Sequence, residues 1–66
     1  MQPGNYRHFK GGRYELLFTA KHSETLEKMA VYRSLENGAV WVRPAHMWND
    51  TVTVNGKPVK RFEKEI

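Results

Sequence analysis

Two Asn-Gly dipeptides, Asn37-Gly38 and Asn55-Gly56, constrain this chain more than any other feature. Both central residues of a type I′ turn need positive φ, which Asn tolerates and Gly adopts freely, so Asn-Gly between apolar runs marks a hairpin. The first dipeptide lies between Met29–Leu35 and Ala39–Arg43, the second between Thr51–Val54 and Lys57–Phe62. Two-residue loops would fix the register. Leu35 then pairs with Val40, Ser34 with Trp41, Arg33 with Val42 and Tyr32 with Arg43. Val31, Arg33, Leu35, Val40 and Val42 share one face; Tyr32, Ser34, Trp41 and Arg43 share the other, with Tyr32 diagonal to Trp41. In the second hairpin Val54 pairs with Lys57, Thr53 with Pro58, Val52 with Val59 and Asp50 with Arg61. Pro58 has no N–H to donate, which places its strand at a sheet edge and predicts a short one.

Alternation elsewhere also reads as strand. Tyr14, Leu16, Phe18 and Ala20 share one face of Tyr14–Lys21, Glu15, Thr19 and Lys21 the other, and Leu17 is out of phase. Gly11-Gly12 turns the chain after a short strand Tyr6–Lys10. Residues 23 to 28 lack alternation and form a loop or single turn. Pro44-Ala45-His46-Met47-Trp48 breaks the pattern, and a short turn or 3₁₀ connector there carries Met47 and Trp48 across the end of the sheet. About five short strands in a chain of 66 residues must bend to cover their own apolar face. The expected fold is therefore all-β, a small antiparallel barrel or roll, with residues 1–66 as one domain.

Composition narrows the function classes. Cysteine is absent, which removes disulfide staples, Cys-based zinc sites and thiol chemistry, and fits a reducing cytoplasm. No apolar run approaches the ~18 residues of a transmembrane helix, so no membrane role is expected. Net charge is +4, concentrated at the two ends: Arg7, Lys10, Arg13 and Lys21, then Lys57, Lys60, Arg61 and Lys64. The middle sets Lys28, Arg33 and Arg43 against Glu24, Glu27, Glu36 and Asp50.

Several blocks together resemble the bacterial domain-of-unknown-function family numbered 1653: Tyr6-Arg7-His8-Phe9-Lys10-Gly11, Ala20 through Glu27, Val31-Tyr32-Arg33-Ser34-Leu35, and Val40-Trp41-Val42-Arg43-Pro44 with Met47-Trp48. The resemblance implies an SH3-like barrel or roll and no activity. Similar segments beside nucleotide-hydrolase domains point to an accessory role. Members often carry a longer, Gly-rich loop where this chain has Glu36-Asn37-Gly38.

Candidate chemistry is sparse. His8, His22 and His46 match no metal-ligand spacing, so neither metal nor cofactor is expected. His22, Ser23 and Asp50 supply the residue types of a hydrolytic triad without a nucleophile elbow, and Glu24 with Glu27 reads as a solvated turn, so no catalytic residue is assigned and a hydrolase ranks last. Gly11-Gly12 lacks the further glycines of a phosphate cradle. A basic chain with exposed rings could hold single-stranded nucleic acid. The leading reading is a non-catalytic protein- or peptide-interaction module, an accessory to a larger protein. Its proposed surface is Tyr32, Trp41 and Arg43, aromatic and Arg side chains being usual anchors, with Arg7 and Arg33 contributing. The competing reading makes that face core, covered by Trp48 and the chain ends.

Overall fold

The second hairpin forms as its turn chemistry dictates. In the computed structural model, which describes residues 1–65, Asn55 and Gly56 have φ of 51° and 77°, and Thr51–Val54 pairs with Lys57–Lys60 in the expected register, Val54 opposite Lys57 and Thr53 opposite Pro58. The register continues past the strands to Asp50 and Arg61, where the Arg61 N–H donates to the Asp50 carbonyl at 3.1 Å.

In chain order the strands are β1 (Gly4–His8), β2 (Arg13–Lys21), β3 (Lys28–Ser34) and β4 (Val40–Pro44), then a one-turn helix α1 (Ala45–Trp48), then β5 (Thr51–Val54), β6 (Lys57–Lys60) and β7 (Phe62–Lys64). A five-stranded antiparallel sheet runs β4-β3-β2-β1-β7, and β5-β6 is a separate two-stranded sheet. The described residues form seven strands where about five were expected: the six segments that alternation and the hairpins mark all form, and a seventh arises because the last predicted strand, Lys57–Phe62, breaks at Arg61. Its first half stays with β5, while Phe62–Lys64 crosses to pair with β1, His8 opposite Phe62. No helix of the described residues is long and apolar enough to cross a membrane.

The first hairpin departs from the two-residue turn. Arg33 pairs with Val40, Tyr32 with Trp41 and Val31 with Val42, two residues out of the expected register, and the loop is Leu35–Gly38. Only Gly38 has positive φ, 76°. Polar groups close the longer turn: Ser34 Oγ accepts from Glu36 N at 3.2 Å and Asn37 N at 3.4 Å, and Asn37 Oδ1 accepts from Ala39 N at 2.9 Å. An even slip keeps every side chain on its assigned face. It makes Trp41 the direct neighbour of Tyr32 and Arg43 the diagonal one.

A second departure lies in β2. Leu16 is opposite Tyr32 but Phe18 is opposite Val31, so the register shifts at Leu17. This β-bulge inverts the phase. Tyr14 and Leu16 stay on the concave face, whereas Phe18 turns to the convex one, 55% exposed.

The core sits on the concave face: Tyr6, Leu16, Ala30, Tyr32, Trp48 and Phe62, with Tyr14 packed against them. Trp48, delivered by α1, is 1% exposed. Its indole stacks on Phe62 at 3.8 Å and 5° and meets Tyr6 and Tyr32 edge-on at 5.2 and 4.9 Å. Its Nε1–H has no acceptor among the described residues, a cost of ~1–3 kcal/mol that this packing offsets. β4 and β7 are opposite edges, which in a flat five-stranded sheet lie about 19 Å apart. Yet Arg43 on β4 lies 5.1 Å from the ring centre of Phe62 on β7. The sheet is therefore strongly curled, a roll whose edges are joined by no strand pairing.

Candidate functional site: an open strand edge

β4 ends the sheet. Its inner side is bonded to β3, beginning with the 2.8 Å bond from Ser34 N to the Ala39 carbonyl. Antiparallel bonding alternates, so Tyr32/Trp41 and Ala30/Arg43 are bonded pairs, and the N–H and C=O of Val40 and Val42 point away from β3. Pro44 follows the same parity, which leaves its missing N–H on the free side, where a proline is tolerated. Three consecutive side chains here are more than half exposed: Val40 58%, Trp41 54% and Val42 60%. Val42 also completes a cross-strand convex row with Val31 and Phe18.

The five residues singled out from sequence do not form one surface. Tyr32 is buried, packed edge-on against Trp48 and opposite Leu16, and belongs to the core, as the competing reading expected. Trp41 shares the concave face with Tyr32, but its position on the edge strand leaves the indole open. Arg43 is held against Tyr32: its Nε donates to the Tyr32 hydroxyl at 3.2 Å, and its guanidinium lies over the Tyr32 ring at 5.6 Å. Arg7 and Arg33 belong to the convex face and are paired there. Arg33 bonds Glu15, its cross-strand neighbour. Arg7 lies 3.5 Å from Glu65, which also holds Arg13 at 3.0 Å.

Residues that the sequence reading left off the surface, Val40, Val42 and Phe18, are among its most exposed apolar groups. Two signals for them were present: Pro44 marks β4 as an edge, and the out-of-phase Leu17 marks the bulge that turns Phe18 outward.

Beside the rings is a compact charged group. Arg61 binds Asp50 at two points, Nε to Oδ1 at 2.7 Å and Nη2 to Oδ2 at 3.2 Å. This hydrogen-bonded pairing lowers the Asp50 pKa and raises that of Arg61. His8 packs edge-on against Phe62 at 4.9 Å, and its Nδ1 accepts from Lys10 N at 3.2 Å. Burial first, then the positive fields of Arg43, Arg61 and Lys10, lowers its pKa below 6.5.

The other histidines serve elsewhere. His22 Nδ1 accepts from Glu24 N and Thr25 N and closes the β2–β3 loop, and His46 in α1 lies 3.4 Å from Glu27. Among the described residues no group of three His, Asp or Glu side chains could hold a metal ion. A depression of about 440 Å³ is lined by Thr19, Ala20, Lys21, Leu26 and Lys28, and by none of the histidines or β4 residues.

The sequence profile of the family described as "Protein of unknown function (DUF1653)" matches residues 4–64. The chain belongs to that family. The crystal structure of a DUF1653 protein from Bordetella bronchiseptica is similar throughout, at 37% sequence identity and a TM-score of 0.90, covering 98% of this chain and 87% of that one. No curated protein matches.

Proposed function

We propose that this chain is a non-catalytic interaction module of SH3-like type, acting in the cytoplasm as an accessory to a larger protein and receiving an extended segment of that partner along β4. The observation that carries this reading is the β4 edge itself. It combines unpaired backbone groups at Val40 and Val42 with three exposed apolar side chains in sequence. Strand addition at such an edge gains main-chain hydrogen bonds, and side chains on alternating faces supply selectivity. A solitary apolar edge is otherwise an aggregation hazard.

Nucleic acid draws less support. Arg7, Arg13, Arg33 and Arg61 are each engaged by a carboxylate, which reduces the free positive charge a phosphate backbone would meet. A hydrolase draws less still, because His22 Nδ1 is occupied by loop amides and Asp50 by Arg61.

The test is an amide NMR titration with extended peptides, a single-stranded oligonucleotide and nucleotides. Shifts confined to Val40–Arg43 and the adjoining β3 amides, produced by peptide, are the expected result. Shifts driven by oligonucleotide and abolished by salt would replace this reading with the nucleic-acid one.

A further inference from the structure

We propose that the segment received by β4 is acidic, with a carboxylate seated against Arg43; this rests on the strand-addition reading above. The chain has five arginines, Arg7, Arg13, Arg33, Arg43 and Arg61. Four of them are held by carboxylates of the chain itself. Arg43 makes no ion pair within 4 Å of a carboxylate among the described residues, its field reaching only as far as the Asp50 carboxylate, which Arg61 already binds, and it is also the arginine on the open edge strand. Its Nε is satisfied by the Tyr32 hydroxyl, and the ring faces of Tyr32 and Phe62 fix its guanidinium. The group is thus held in place before any partner arrives, with donors remaining for an anion, and a charge-assisted, preorganised contact is the kind that adds selectivity.

Register gives the partner's pattern. The outward N–H and C=O of Val40 and Val42 would bond the guest residues opposite them. On an antiparallel guest, the residue opposite Trp41 and the one two positions before it, opposite Arg43, place their side chains on the concave face. The neighbours facing Val42 and Val40 fall on the convex face and extend the apolar row of Phe18, Val31 and Val42. Read from N to C, the guest is acid, apolar, ring or β-branched, apolar. A second copy of this chain fits poorly as occupant: Val40–Pro44 contains no acid, and two chains of net charge +4 repel.

The experiment selects binders for the intact protein from a display library of random octapeptides, then compares a selected peptide as its Glu and Gln forms. Selected sequences should carry Asp or Glu two positions before a ring or β-branched residue. The Glu form should bind about 10-fold more tightly than the Gln form. That ratio should fall to about one in Arg43→Gln and be only partly kept in Arg43→Lys, which retains the charge but not the Nε bond to Tyr32 or the planar fork. Apolar peptides that bind β4 equally well as Glu and Gln forms would overturn the acidic partner and leave strand addition standing. No selection at β4, or a stable dimer of the free protein in sedimentation, would overturn both. Because the Glu and Gln peptides are compared on the unaltered protein, the result does not depend on Arg43→Gln folding.

Discussion

The two tryptophans make opposite predictions from residues only seven positions apart. Trp48 is 1% exposed and touches Tyr6, Tyr32 and Phe62. Truncation to alanine leaves a cavity among rings, and such changes cost ~3–5 kcal/mol. A domain of this size has a total stability of about that magnitude, so Trp48→Ala should be largely unfolded at 25 °C. Trp41 keeps 54% of its surface exposed in the fold. Less than half of its area is lost to solvent on folding, and Trp41→Ala should cost only ~1–2 kcal/mol. At ~4–8 °C per kcal/mol for a small domain, the melting midpoint should fall by roughly 4–16 °C with a cooperative transition retained. Far-ultraviolet circular dichroism melts of both variants read this directly. An unfolded Trp41→Ala would mean that the concave face at β4 is core and would withdraw the docking surface. A Trp48→Ala that melts like the parent would refute the account of the core.

Further measurements follow from the turns and the charged group. Gly38→Val and Gly56→Val should each destabilise by more than ~1 kcal/mol, since a β-branched residue takes positive φ at high cost; an unchanged melt for either would contradict the loop geometry. His8 has a lowered pKa, so its neutral form is favoured on folding. Its contribution is complete above pH 6.5 and is lost as pH falls through the folded pKa. The melting midpoint should drop between pH 7 and pH 5, less so in His8→Gln, and equal slopes for the two proteins would remove that role. The Asp50 pKa is also lowered, so its contribution persists to acidic pH and is lost below about pH 4. Asp50→Asn should melt lower at neutral pH and lose that acid step.

Legibility in the sequence followed locality. Asn55-Gly56 fixed a hairpin to the residue because the flanking strands are short and nothing else competes for the turn. Asn37-Gly38 carried the same dipeptide, yet the hydroxyl of Ser34 and the amide of Asn37 close a four-residue loop, with Gly38 alone in the left-handed region. Side-chain capping outweighed the type I′ signal. The face of each residue survived, since an even slip preserves parity; the pairing of Tyr32 with Arg43 did not. The phase change at Leu17 appeared only as an exception to alternation, and its consequence, an outward Phe18, depends on which residue of β3 it meets. Least legible was the contact between Arg43 and Phe62. It joins opposite edges of the sheet, and no local pattern encodes how far a sheet curls.

That curl also distinguishes the two edges. β7 is three residues long, Phe62–Lys64; its first side chain is buried in the core, while Glu63 and Lys64 are charged and exposed. Charge and brevity are the usual means by which an edge is kept from pairing. β4 has neither protection over Val40–Val42, where no charged residue interrupts the apolar run. It is limited only at its ends, by the Leu35–Gly38 loop on one side and by Pro44 leading into α1 on the other. A guest strand can therefore form bonded pairs at Val40 and Val42 but cannot continue past Pro44 with a full ladder. Such a short ladder confers little affinity by itself, so selectivity must come from side chains. On the concave side the two available are Trp41 and Arg43, one an open ring and the other a guanidinium in no ion pair among the described residues. The edge, in this account, is open enough to accept a strand and short enough to require the right one.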